Sequence, residues 1–344
     1  MDVMRRLPAN SIDAIVTDPP YGLSLLGKDW DTHKGNVGFE QWTASWAVEA
    51  LRVIKPGGHA LIFCGSRTYH RMICGVEDAG FDVRDCLMWL YSSGMPKGLD
   101  ISKAVDKEQG ATRSVIGTQR RSGSGHTKSA SDFSRHWIRG HASVYDVTTP
   151  TTEIAQQYDG WNTTLKPGWE PVVLVRRPLS EKSVAANILR WGTGGINVGG
   201  CRVEDRWPAN VLLSHSPDCI DHDSCVCASD CAVAMLEKQS EGASRFFYGS
   251  KATGKQRSTS SHPTIKSIDV MAYLVRLITP PNGIVLDPFM GTGPTIEAAL
   301  REGFRAVGID LSEEYVRDAD ERLSRRAGIL KWLSDSSDGS NDGS

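Results

Sequence analysis

Apolar and polar positions along the chain follow two recurring spacings. Short β-branched or apolar runs read as strands, and between them apolar residues recur at helical intervals. The first run, Ile12 to Thr17 (IDAIVT), stops at Pro19 and Pro20, which have no N–H to give to a sheet. Asp18 therefore stands at the carboxyl end of a strand. Phe39 to Ile54 then places Trp42, Trp46, Ala47, Ala50, Leu51 and Ile54 on one stripe, a helix that KPGG ends. Because both tryptophans lie on that stripe, they are assigned to the core rather than to ligand stacking. His59 to Cys64 (HALIFC) reads as a strand, 68–79 as a helix and Val83 to Tyr91 as a strand. Two αβ repeats in succession predict an α/β fold with a doubly wound, mostly parallel sheet.

From Met95 to Leu165 the period dissolves into a stretch rich in Gly, Ser, Thr, Arg and His, and it returns at Pro171 to Val175, a further strand for the sheet. It is lost again until a helix over Asp269 to Ile278. Next comes a strand, Ile284 to Asp287, that runs through Phe289, Gly291 and Gly293 into a helix, TIEAALREG, closed by Gly303. Another strand, Arg305 to Ile309, ends at Asp310. An amphipathic helix over Glu313 to Arg325 carries Tyr315, Val316, Ala319 and Leu323 on one face, and the tail SDSSDGSNDGS is acidic, low in complexity and predicted to be disordered.

With 344 residues and 40% hydrophobic content the chain can bury one large core or two smaller ones. No apolar run is long enough to cross a bilayer and MDVMRRLPANS is not a signal peptide, which excludes membrane function classes and implies a cytoplasmic protein. A net charge of −2 does not announce a nucleic-acid binder, but its distribution does. Thr112 to His141 holds six Arg or Lys against one acid, Asp132, and Ala243 to Lys266 holds five with none. The first of these segments interleaves Phe133, His136 and Trp137, with Trp161 further on, and reads as DNA-contacting, against the alternative of a solvated loop.

Two stretches carry candidate chemistry. The Asp18 carboxylate and the Pro19 carbonyl form an acceptor pair beside Tyr21, held rigid by Pro19 and Pro20; this suits a planar heterocycle with an exocyclic amino group, the ring lying on Tyr21. An ordinary tight turn reads equally well from DPPYG alone. Downstream, strand, glycine loop, helix, strand and acid form a nucleotide-binding βαβ unit, with Asp310 lying 17 residues after Gly293 and able to hold ribose hydroxyls. Ile296 replaces the third glycine of a dinucleotide fingerprint, which weakens NAD. A helix N-terminus also favours a carboxylate, which fits the methionyl end of S-adenosyl-L-methionine.

Five of the eight cysteines fall between Cys201 and Cys231. A cytosolic setting disfavours disulfides, so metal is the natural alternative. His215 with Cys219, and Cys227 with Cys231, form two pairs of equal spacing that suit a structural, tetrahedral zinc site. Reduced thiols in a surface loop fit the same spacing.

The order DPPY (Asp18 to Tyr21), HPT (His262 to Thr264) and DPFMGTG (Asp287 to Gly293) resembles the permuted, β-class amino-methyltransferases of DNA. MPKGLDISKAVDK, LKPGWEPVVLVRRPL, RWPANVLL and SRFFYGSKA are similar to stretches of bacterial and phage adenine-N6 methylases of that group. The resemblance, over most of residues 1 to 325, implies a Rossmann-like S-adenosyl-L-methionine-dependent methyltransferase acting on DNA, with a target-recognition insertion. It implies catalysis by Asp18, Pro19, Pro20 and Tyr21, and cofactor binding by Asp287, Phe289, Gly291, Gly293, Asp310, Thr264 and Lys266, where Ser267 replaces a proline that often follows the lysine. The expected division is a catalytic half over 1–94 and 166–180, a target-recognition insertion over 95–165, a second variable region over 181–260, a cofactor half over 261–328 and a tail over 329–344. Cytosine-N4 methylation and a catalytically silent DNA-binding protein remain alternatives, and self-association as a homodimer is compatible with the sequence. In such relatives a strand ending in a Gly-Asp-Cys-like turn precedes a segment like MDVMRRLPANSID. Here the chain starts after it, which implies an uncovered adenine site and weaker cofactor binding.

Overall fold

A computed structural model describes residues 2–23, 31, 35–91, 98–120, 144–203, 205–216, 219, 227, 228, 231–244, 247–250 and 266–324. They fall into two units, Met1–Ser92 with Trp169–Ser344, and Ser93–Gly168. In chain order the first unit begins with α1 (Asp2–Arg6), β1 (Ile12–Thr17), α2 (Gly35–Val53), β2 (Ile54–Phe63), α3 (Tyr69–Asp78) and β3 (Asp82–Leu90). The second unit holds α4 (Ile101–Glu108), β4 (Ser114–Arg120), β5 (Val144–Thr149) and α5 (Glu153–Gln157). The first unit resumes with β6 (Trp169–Arg176), α6 (Val184–Trp191), β7 (Val211–Ser214), α7 (Ala232–Gln239) and β8 (Tyr248–Ser250). It ends with α8 (Ile268–Ile278), β9 (Ile284–Asp287), α9 (Pro294–Arg301), β10 (Arg305–Gly308) and α10 over 313–324.

Eight strands form one sheet in the order β10-β9-β1-β2-β6-β3-β7-β8. Neighbours run parallel except at β6, which is antiparallel to both β2 and β3. The sheet is thus doubly wound and mostly parallel, as the repeats predict. Strand alternation sends Ala14 and Val16 of β1 to a core under α8 and α9, while Ile15 faces a second core under α2 and α3. Covered on both sides, β1 is buried along its whole length. Its one acid, Asp13, is satisfied by Lys55 Nζ at 2.6 Å and by the backbone N–H of Ile284 at 2.8 Å.

KPGG behaves differently from its reading as a helix terminator. The helix already ends at Val53, and residues 55–58 are a bulge within β2, between the Ile12–Ile54 and Ala14–His59 pairings. Gly57 takes φ of 79° there. Gly75 on α3 has a different task. A Cβ at that position would lie 2.5 Å from the Glu40 carbonyl oxygen and 2.8 Å from Thr43 Cβ on α2. Gly75→Ala must push the two helices apart, at about 1–3 kcal/mol, read as a lower urea midpoint with an unchanged slope.

The second unit contains order where no period is evident. β4 and β5 pair as an antiparallel hairpin, Asp100 caps α4 and Thr152 caps α5. The buried Asp106 carboxylate accepts from Arg113 at 2.8 Å, from the Thr151 and Thr152 N–H groups at 3.0 and 2.9 Å, and from Thr152 Oγ1 at 2.8 Å. Polar bonding thus joins its elements, because Ala155 is the one buried apolar residue among its described residues. Phe133, His136 and Trp137 lie outside the described residues, as does the tail; Trp161 is exposed, its ring edge against Tyr158.

Candidate active site

β1 lies beside β9, in parallel, so the carboxyl ends of the two strands meet. A hydrogen bond from Thr17 Oγ1 to Asp287 Oδ1, 2.7 Å long, ties those ends together across 270 residues of sequence. Asp18 emerges from one strand and the glycine loop from the other, at the sheet edge where open α/β folds bind ligands.

Around Asp18 the structure assembles a cation site. Lys266 Nζ donates to Asp18 Oδ2 at 2.6 Å and lies 3.3 Å from Glu170 Oε2. The same ammonium sits 5.4, 5.0 and 6.0 Å from the ring centroids of Tyr21, Phe63 and Trp89, inside cation–π range. The Tyr21 hydroxyl lies 2.8 Å from Asp18 Oδ1 and 2.9 Å from Glu170 Oε2, and accepts from Lys266 at 3.2 Å. Burial and the charges of Asp18 and Glu170 push the Tyr21 phenol well above its ordinary pKa, so it stays a donor. For Lys266 burial alone lowers the pKa, but the two carboxylates outweigh it and hold the amine charged.

Pro19 is buried and Pro20 half-buried, and the Tyr21 carbonyl accepts from Thr68 Oγ1 at 2.6 Å. Asp31 receives the next two backbone N–H groups, of Gly22 at 2.7 Å and Leu23 at 3.1 Å. The loop after Asp18 is therefore pinned from both sides.

In the glycine loop, Asp287 is buried and fully engaged: it accepts from Thr17, from the Phe289 N–H at 3.0 Å and from Thr295 Oγ1. Desolvation raises its pKa to about 6 despite those bonds. Gly291 and Gly293 take φ of 51° and 81°, which a side chain would strain, and Gly293 caps α9 with Pro294 at the first helical position. Asp310 joins this loop to the next strand end, accepting from Gly291 N–H and from Ser312 N–H, each at 2.9 Å. The Phe289 ring is half-buried against Trp42 and Trp46, with centroids at 5.7 and 5.4 Å. Trp46 itself is fully inside the core, and Trp42 flanks it. Thr264 lies outside the described residues.

The residues that sequence reasoning misses are Glu170, Phe63 and Trp89. Glu170 leaves one trace, a lone acid in the otherwise apolar run WEPVVLV; Phe63 and Trp89 look like any other strand aromatics. Elsewhere, the ligand atoms of His215, Cys219, Cys227 and Cys231 all lie within 4.8 Å of one another.

The family model of N6/N4-type DNA methylases matches residues 12–321, and the chain belongs to this family. Among its relatives, the type II methyltransferase M.HindIII of Haemophilus influenzae is 22% identical over 360 residues, 93% of this chain and 91% of that protein. Type II methyltransferase M.HpaI of Haemophilus parainfluenzae is 36% identical over 99 residues, 27% of this chain and 30% of that protein. The solved structure of PvuII DNA methyltransferase, described as cytosine-N4-specific, shares the fold at 15% identity with a TM-score of 0.50, over 92% of this chain and 81% of that one. Among the described residues no helix is long and apolar enough to cross a membrane.

Proposed function

We propose that the chain methylates the exocyclic N6 amine of an adenine flipped out of DNA, using S-adenosyl-L-methionine. The observation that carries this reading is the meeting of Asp18 and the glycine loop on adjacent strand ends, beside a cluster of side chains that already holds a cation. Two carboxylates and three aromatic faces surround the Lys266 ammonium, and the same set of acceptors and ring faces suits a sulfonium and a nitrogen that gains positive charge. The glycine loop, with no Cβ at Gly291 or Gly293, and the Asp310 carboxylate, which keeps acceptor capacity beyond its two backbone bonds, fit the rest of that cofactor. When bound, it supplies an electrophilic methyl group.

The chain's own residues act on the amine. A free adenine amino group is a weak nucleophile because its lone pair is delocalised into the ring. Asp18 and the Pro19 carbonyl each accept one of its hydrogens, drawing them out of the ring plane and returning the pair to nitrogen. Tyr21 presents its face to the flipped base, and its single hydroxyl proton lies within reach of either carboxylate, Asp18 or Glu170. Lys266 competes with the incoming amine for Asp18 Oδ2, and Glu170 offers the ammonium a second acceptor. Glu170→Gln keeps an acceptor oxygen but loses the charge that draws the ammonium from Asp18, and is expected to lower kcat about tenfold, or roughly 1.4 kcal/mol, with cofactor affinity little changed. An unchanged kcat would remove Glu170 from this role.

Asp at the first position of the DPPY stretch is the commoner adenine form among sequences resembling this one, and it supports N6 over N4. The basic segment within 95–165 serves as the DNA-contacting region in this reading. Incubation with duplex DNA and methyl-labelled S-adenosyl-L-methionine, followed by nucleoside analysis, tests both levels: N6-methyladenine is expected. N4-methylcytosine would overturn the choice of base, and no label in DNA would overturn the activity.

A further inference from the structure

We infer that His215, Cys219, Cys227 and Cys231 bind one structural zinc ion. The residues come from both flanks of one connection: His215 follows β7 directly and Cys231 is the N-cap of α7. In a tetrahedral site with Zn–S near 2.3 Å and Zn–N near 2.0–2.1 Å, each N···S edge measures about 3.5 Å. His215 Nδ1 lies 3.4 Å from Cys227 Sγ and 3.5 Å from Cys231 Sγ. One ring nitrogen has either one proton or one lone pair, so it cannot make a full hydrogen bond to both sulfurs. A cation between them satisfies both separations.

The surroundings agree with a metal rather than with idle thiols. Cys219 and Cys231 are buried, all three sulfurs converge on the imidazole, and none of the three is in a disulfide. Cys219 Sγ accepts a backbone bond from Ala228 N–H at 3.4 Å, the kind of outer contact that steadies a thiolate ligand. The apolar cluster here is small, its buried members being Leu213 and Val233 with the two cysteines, which leaves the connection short of a core of its own. A metal supplies the missing closure. With four protein ligands the site is closed, so its role is structural. That role reaches the active site, because Ser214, next to His215, accepts from Trp89 Nε1 at 2.7 Å and the Trp89 ring lines the Lys266 cation site.

Elemental analysis of the full chain, purified without chelators, is expected to give about one zinc per chain. Cys227→Ser and Cys231→Ser are each expected to lose it. Because those variants can fail to fold, the wild-type protein is also exchanged with cobalt(II). Strong sulfur-to-metal charge-transfer absorption with tetrahedral d–d bands is expected, along with protection of the three thiols from a disulfide reagent that chelator reverses. A wild-type chain that holds no zinc and takes up no cobalt overturns the inference. Iron in place of zinc, or full zinc retention in folded Cys231→Ser, overturns it equally.

Discussion

Asp18→Ala is expected to lower kcat for methyl transfer by about 10²–10³-fold, or roughly 3–4 kcal/mol, while changing S-adenosyl-L-methionine affinity by less than about tenfold. The size follows from what Asp18 does: it is the charged half of the acceptor pair, and the amine it holds becomes positive only as nitrogen gains the methyl group. An interaction that strengthens toward the transition state appears in kcat rather than in binding. Lys266 keeps Glu170 as a partner at 3.3 Å, so the variant does not strand a buried ammonium and the fold persists. Asp18→Asn, which keeps one acceptor oxygen and loses the charge, falls between the two. Kinetics at saturating cofactor, with separate calorimetric binding, resolve the effect. Wild-type turnover in Asp18→Ala would remove the residue from the chemistry.

Asp287→Asn is expected to alter the pH dependence of stability, with a sign set by Asp287, one of two buried groups whose contributions oppose one another in the wild type. Burial, against the bonds from Thr17, Thr295 and Phe289, raises Asp287 to about 6, so the folded state holds its proton more tightly than the unfolded one. Its contribution to stability is present below the unfolded value near 3.9 and is lost as pH rises through about 6, worth about 1.4 kcal/mol per unit and so about 3 kcal/mol in all. His59 does the reverse. Burial first, then Arg176 and Arg84, lower it to about 4, so its contribution is full above the unfolded value near 6.5 and is lost as pH falls toward 4. In the wild type the two slopes offset each other over much of pH 4 to 6. The asparagine amide can accept from Thr17 and Phe289 and donate to Thr295, so it keeps the bonds and loses the buried charge. Relative to wild type the variant should be about 1–3 kcal/mol more stable above pH 7, an advantage that vanishes toward pH 4. Urea titrations at several pH values measure the difference, and a pH-independent difference would mean that Asp287 carries no such burden.

Much of the arrangement was legible from local chemistry. Pro19 and Pro20 can only end a strand, so Asp18 had to stand at a strand terminus. Gly291 and Gly293 imply positive φ before a helix, and both have it. The stripe bearing Trp46 is a core face, since Trp46 is among the largest buried side chains. Reading KPGG as a terminator went astray because a Pro-Gly-Gly run ends a helix and bulges a strand equally well, and only pairing with β1 and Arg177 decides between them. The second unit was illegible for another reason: Asp106, its organising residue, acts through hydrogen bonds to residues 7 to 46 positions away, and these leave no periodic trace.

By itself the sequence determined which elements form, where the acids and glycines fall on them, and that His215, Cys219, Cys227 and Cys231 share a ligand spacing, because all of these depend on neighbours within a turn or two. Strand order was decided only by the tertiary structure. It set β1 between β9 and β2, turned β6 against its neighbours and so brought Glu170 to Tyr21 across 149 residues and Lys266 to Asp18 across 248. Such contacts arise when whole faces compete for burial, and a carboxylate gains its partner only after that competition has placed the strands.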